Sequence, residues 1–240
     1  MITHKVKQGS PEWLALRANY DTASEAPAMM GAPGAHETRE ELLRMKVSGY
    51  TKEHDEWTLK RFAEGHRTEA LARPIIERLV GEGLYPVTGS LEGTRLLSSY
   101  DGMNMGEIMS MEHKLWNEEL AAAVRAGDPP ARIYWQLEQQ LLVGSLDHIL
   151  LVVSDGTEDK MERMEYRAVP GRREQLLAGR VQFNEDRANF KHQELPAAPV
   201  RKVIPALPVL VLDFEGAVTV KSNIDAFEAV VQARIDAVPA

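Results

Sequence analysis

The chain is 240 residues long, carries 28 lysines and arginines against 36 aspartates and glutamates for a formal net charge of −8, and contains no cysteine. That length supports one sizeable core plus a small appendage, and the missing cysteines exclude a disulfide scaffold and a thiolate zinc site. No apolar run approaches the roughly 20 residues that span a bilayer, and the acidic balance speaks against a protein that coats nucleic acid non-specifically, though not against a local basic groove.

The first element is announced by Ser10-Pro11-Glu12: a hydroxyl cap, a proline at the first helical position and an acid in the first turn, ahead of Trp13, Leu14 and Leu16. A short helix over roughly 10 to 18 is predicted, with Trp13 as its core residue. Thr22 can cap a second helix through Met30, closed by Gly31. The spacing of Trp57, Phe62, Ala63, Leu71, Ile75, Ile76 and Leu79 predicts the longest helix, from about 55 to 80, with Pro74 as a candidate kink and Gly81 and Gly83 ending it. Three short segments separated by Gly-containing turns follow, Leu84 to Leu91, Thr94 to Ser98 and Met105 to Leu115, in the manner of an antiparallel meander. Helices near 116 to 126 and 131 to 143 come next, then a buried strand at Ile149 to Val153, a further strand at Met161 to Val169 and a helix at Arg172 to Phe190. This order implies an α/β fold, a mixed central sheet flanked by helices. From 195 the prolines 196, 199, 205 and 208 mark a linker, followed by a small C-terminal extension that is too short for its own core, so the main domain is expected over 1–194 and an accessory element over 195–240.

The residues that can carry chemistry are Glu69 on the long helix, Asp101 after the second meander strand, and Glu112 and Lys114 on the third. Glu112 and Lys114 are two apart on a strand and share a face, with His113 on the other. A phosphodiesterase needs hard oxygen ligands for one or two magnesium ions, and a neighbouring lysine can orient or deprotonate the attacking water if its surroundings lower its pKa. By itself, an acid followed after ten residues by E-x-K also fits a solvated hairpin with ordinary surface charges. Arg17 can grip a phosphate bidentately, and Ser24 lies in the first turn after Thr22, where free N–H groups favour an anion; a solvated arginine and a plain helix-start serine are the alternatives. The seven histidines show no metal-ligand spacing and no P-loop is present, so neither a histidine zinc site nor ATP hydrolysis is expected.

Gln8 to Arg17 (QGSPEWLALR) with Asp21 to Ser24 (DTAS), then Gly65 to Glu69 (GHRTE), Ser98 to Gly102 (SSYDG), Glu112 to Lys114 (EHK) and Tyr134 to Leu141 (YWQLEQQL) occur in an order that resembles the lambda-exonuclease family of YqaJ-type viral recombinases. The resemblance runs over roughly residues 8 to 190. It implies a restriction-endonuclease-like core of the PD-(D/E)XK nuclease superfamily and a 5′-to-3′ exonuclease that leaves a 3′ single strand on double-stranded DNA. It further implies magnesium, with manganese possible in its place, held by Asp101, Glu112 and Glu69, with Lys114 as the catalytic lysine and Gln136 bordering the site. Arg17, Ser24 and Ser99 would form a pocket for the 5′-phosphate. Glu138 stands where the family's Q-x-Q pattern has its second glutamine, and His113 where members usually place an apolar residue; the latter reads as a satisfied core histidine. Family members form ring-shaped trimers, so a homotrimer and a single-strand annealing protein as partner are implied, with the tail after 195 a candidate docking site. A phage or prophage protein in the cytoplasm of a bacterial host, with no membrane association, fits the N-terminus MITHKVKQGS, which lacks an apolar signal core. The rival readings are a structure-specific or restriction-type endonuclease on the same scaffold, and a non-catalytic DNA-end-binding accessory module.

Overall fold

The structure, a computed structural model, describes residues 1–49 and 55–190. The chain divides into two compact units, Met1–Phe190 and Lys191–Ala240. The linker, strand and helix expected beyond residue 195 lie outside the described residues.

The first unit is a mixed sheet with helices on both faces. In chain order its elements are β1 (Ile2–His4), α1 (Pro11–Ala18), β2 (Asp21–Thr22), a 3-10 turn (Ala23–Glu25), α2 (Ala26–Met29), α3 (Arg39–Ser48), α4 (Glu56–Val80), β3 (Leu84–Ser90), β4 (Leu96–Asn104), β5 (Met109–Leu115), α5 (Glu118–Arg125), α6 (Ala131–Gly144), β6 (His148–Ser154), β7 (Met161–Tyr166) and α7 (Arg172–Asn189). The strands run β1-β3-β4-β5-β6-β7, with β2 beside β4; β5–β6 and β2–β4 are parallel and the other pairs antiparallel. β6 is buried on both sides and shows a period of two. Ile149, Leu151 and Val153 pack with Leu137 and Leu141 of α6, while Val152 packs with Ile76 of α4 on the opposite face. Among the described residues no helix is long and apolar enough to cross a membrane.

Local chemistry accounts for most boundaries. Ser10 caps α1 by accepting from Trp13 N–H at 3.2 Å, and Asp55 caps α4 by accepting from Thr58 N–H at 2.7 Å. Gly81 ends α4 in the left-handed conformation, φ 78°. Pro74 lies inside this continuous helix. The apolar face expected along α4 is not buried throughout: Trp57 is 64 % exposed and Leu79 54 %, and burial is confined to Thr68, Ala72, Ile75 and Ile76. The first half of the helix is held by its cap and by local pairs, Lys60–Glu56, Arg67–Glu64 and Arg61 over Trp57. The helix expected from Thr22 to Met30 is split into the 3-10 turn and a single turn of α-helix. β1, β2 and α3 were not anticipated.

β4 departs most from expectation. It continues through Ser99, Tyr100, Asp101 and Gly102 to Asn104, so Asp101 lies inside a strand and not beyond its end. Against β3, Tyr85 pairs with Met103 and Val87 with Tyr100. One residue, Pro86, therefore faces two, Asp101 and Gly102, which is a β-bulge. Proline has no N–H to give the ladder, so the extra residue is accommodated where a bond is already missing. Gly102 is required by space: a Cβ there would stand 2.8 Å from the Cβ of Leu84.

Candidate functional site

The bulge brings the acids together. Beyond Gly102↔Met111 the β4–β5 ladder stops, and Asp101 and Glu112 are the first residues past it. The N–H of His113, left without a strand partner on that side, donates instead to Asp101 Oδ2 at 2.8 Å. The backbone carbonyl of Asp101 accepts from Arg73 Nε at 2.8 Å. Arg73 also pairs through Nη2 with Glu69 one turn before it on α4, so one arginine joins the helix acid to the bulge. His113 points to the other face and meets Ser154 Oγ at 2.9 Å, a satisfied buried histidine whose pKa burial pushes down to about 4.

Glu112 is buried, 3 % exposed, and enclosed by donors. Its Oε1 accepts from Lys114 Nζ at 2.7 Å and from Gln136 Nε2 at 2.6 Å, and its Oε2 accepts from Gln140 Nε2 at 2.6 Å. Lys114 Nζ also donates to Gln136 Oε1 at 2.9 Å, and Gln140 Nε2 to the carbonyl of Ser99 at 3.0 Å. Gln136 and Gln140 are four apart on α6 and so share one face of the helix. Glu138 turns away: its Oε1 accepts from Tyr166 O–H at 2.6 Å and Val169 N–H at 3.0 Å, closing the β7–α7 connection. The second glutamine at the site is therefore Gln140. Sequence reasoning missed it, although helical spacing from Gln136 was the signal that could have found it.

Lys114 differs from expectation in its electrostatics. Burial pulls its ammonium down, but Glu112, with Asp101 and Glu69, outweighs that and holds it above the usual lysine range. These three acids favour the charged form of the lysine. Burial first, then Glu112 and Glu69, raise Asp101 well above the ordinary carboxylate range; burial also raises Glu69, against the pull of Arg73. Among the described residues Asp101 has no ion pair, so three clustered carboxyl groups face two cations, Arg73 and Lys114. This donor set of hard oxygens suits a hard divalent cation. Among the described residues no group of three or more His, Cys, Asp or Glu side chains is placed so that it could hold a metal ion. Magnesium is commonly held by one or two carboxylates, with water and substrate phosphate completing its shell.

Arg17 and Ser24 meet: Arg17 Nη2 donates to Ser24 Oγ at 3.0 Å. The helix after Ser24 is four residues long, and the N–H of Thr22 is taken by the Glu25 carboxylate at 2.9 Å, so side chains and not a helix dipole define this corner. Trp13 is half-buried and not a core residue. The Arg17 guanidinium lies over its ring at 4.4 Å, and its indole N–H donates to Ser99 Oγ at 3.0 Å. Ser99 thus joins Arg17 and Ser24 through Trp13, while its own carbonyl is held by Gln140.

No protein-family model matches the chain, and no curated protein matches it. Among solved structures, an alkaline exonuclease from Laribacter hongkongensis superposes with a TM-score of 0.63 at 18% identity, over 75% of this chain and 93% of that one. The same enzyme in complex with dAMP gives 0.63 at 17%, over 75% and 93% of the two chains. A phage-related exonuclease from Haemophilus somnus 129PT matches at 12% identity over 72% of this chain and 96% of that one, with a TM-score of 0.49. The fold is the α/β core, a mixed sheet flanked by helices, that the sequence motifs implied.

Proposed function

We propose that this chain is a magnesium-dependent deoxyribonuclease that engages a duplex DNA end and removes nucleotides in the 5′-to-3′ direction, leaving a 3′ single strand, with manganese able to substitute. The observation that carries the reading is the buried Glu112–Lys114 pair held by Gln136 and Gln140, with Asp101 beside it accepting from the N–H of His113, the residue between the two. The fold shared with an alkaline exonuclease supports it.

In this reading Asp101 and Glu112 hold the ion, with Glu69 at its margin. When bound, such an ion supplies a Lewis acid that polarises the scissile phosphate and acidifies a water. Gln136 and Gln140 keep Glu112 in one orientation. Lys114, whose Nζ lies 2.7 Å from Glu112 Oε1, is placed to donate to a phosphate oxygen and offset the negative charge that grows there. Arg17 and Ser24 take the terminal 5′-phosphate, which sets where the chain starts. By the same reading the enzyme is a homotrimer closed around the duplex, passes its product strand to a single-strand annealing protein, and belongs to a phage or prophage acting in the cytoplasm of a bacterial host.

The test is digestion of a 5′-phosphorylated linear duplex and of a covalently closed circle, with magnesium and with chelator, for the wild type, Asp101→Asn and Lys114→Met. Loss of linear digestion on chelation and in both variants, with the circle intact, is expected. Equal cutting of the circle points to the endonuclease, and undiminished activity in Lys114→Met removes the assignment.

A further inference from the structure

α7 supplies no residue to either corner described above, yet it places a buried arginine behind both. Arg180 is 5 % exposed. Its Nη2 donates to Gln139 Oε1 at 2.5 Å and to the carbonyl of Thr22 at 3.2 Å. Gln139 in turn donates through Nε2 to the carbonyls of Asp21 at 2.8 Å and Leu97 at 3.1 Å. The two-residue strand β2, whose parallel pairing to β4 spans only Asp21↔Leu96 and Thr22↔Leu97, is thereby gripped from behind at both of its carbonyls.

As a source of stability this arrangement is poor. Burying a guanidinium has a desolvation penalty of several kcal/mol that is repaid only when its donors are met. Here Nε and Nη1 of Arg180 have no acceptor, although the buried Asp21 carboxylate, which faces Arg187 at 3.6 Å and Arg95 at 3.9 Å, favours its charge. Its one engaged nitrogen joins Gln139 Oε1 to the Thr22 carbonyl, and an apolar side chain at 180 would leave both acceptors without that donor, so what the arginine supplies is placement.

We infer that Arg180 and Gln139 form a strut that fixes the Asp21–Ser24 turn, making Arg180 a positioning residue that holds Ser24 Oγ against Arg17 for the terminal phosphate. The inference rests on the phosphate-pocket reading above. It also gives α6 two duties. Gln136 and Gln140 hold Glu112 on one stripe of the helix, and Gln139 holds the end-recognition turn on the next.

The experiment compares initial rates on linear duplexes ending in 5′-phosphate or 5′-hydroxyl for the full-length wild type, Arg17→Ala, Arg180→Met, Arg180→Lys and Gln139→Met, with thermal melts of each. Arg180→Met and Gln139→Met are expected to lose about tenfold of the preference for phosphate ends through KM, with kcat and the rate on hydroxyl ends unchanged. Both strut bonds leave one nitrogen, so a lysine ammonium can serve both acceptors and Arg180→Lys restores the preference. If Arg180→Met does not fold, Gln139→Met and Arg180→Lys carry the comparison. Retained preference in the strut variants, or an equal fall on both ends, overturns the strut while a loss in Arg17→Ala leaves the pocket standing. A wild type indifferent to the end group removes the pocket, and the strut with it.

Discussion

Replacing Gln140 by leucine separates what holds the fold from what holds the site. The leucine is close in volume but removes two donated hydrogen bonds. The bond to Glu112 Oε2, at 2.6 Å, has a charged buried acceptor and is worth about 1.5–3 kcal/mol, and the bond to the Ser99 carbonyl, at 3.0 Å, about 1 kcal/mol. Against this, Gln140 Oε1 is buried with no partner, and removing it recovers about 1–3 kcal/mol of desolvation. The difference lies between about zero and 3 kcal/mol of destabilisation, too little to unfold a domain of this size. The effect on the reaction is larger, because Gln136 and Lys114 both hold Oε1 and leave Oε2 without a donor, so the carboxylate can rotate. Partners that orient a metal-binding carboxylate contribute about 10- to 100-fold to rate. Urea unfolding followed by tryptophan fluorescence gives the first quantity, and digestion of a 5′-phosphorylated duplex gives the second. A rate within threefold of wild type refutes the reasoning; so does a stability loss above about 4 kcal/mol, which would make Gln140 a scaffold residue.

Glu138→Gln, on the same helix but aimed at Tyr166 and Val169, is expected to leave nuclease rate within twofold, since an amide oxygen can still accept both bonds; a large rate loss would return Glu138 to the site. Gly102→Ala places a methyl 2.8 Å from the Cβ of Leu84 and is expected to destabilise by about 1–3 kcal/mol in urea, a loss that Leu84→Ala in the same chain should partly relieve. His113 makes stability depend on pH. Its folded pKa is depressed to about 4 from 6.5, so in the window between those values the unfolded chain binds a proton that the folded chain refuses. Stability is therefore lost as pH falls from about 6.5 toward 4, by up to about 3 kcal/mol, and His113→Asn, measured with chelator present, should flatten that slope. An unchanged slope in the variant would place the titration elsewhere.

Most of the helices and the β6 core strand were legible because their signals are local. Ser10-Pro11, Asp55 and Gly81 are caps and stops that act within one turn, and Ile149 to Val153 is apolar on both faces. α3 carried the same kind of signal, Thr38 with Glu41 in a capping box, and was passed over for want of an apolar stripe. β4 was cut short because Ser98, Ser99, Asp101, Gly102 and Asn104 are turn-forming residues in isolation, and only burial between β3 and β5 keeps them extended. At the site, the sharing of a face by Glu112 and Lys114 followed from strand periodicity, and the meeting of Arg17 with Ser24 matched the motif. The charge state of Lys114 could not be read from sequence, because it depends on three acids brought from two strands and a helix. Nor could the trade between Glu138 and Gln140, which turns on the rotation of α6 about its axis.

Pro86 gives the bulge a wider meaning. The aim of Asp101 is written in a neighbouring strand, at a residue that carries no charge. Slippage of β4 by one step could not be healed there, since proline has no hydrogen to offer the shifted partner. Anyone transplanting the two-acid-and-lysine set onto another hairpin would have to move this imino acid along with it, or the first carboxylate would arrive on the wrong side of its new host.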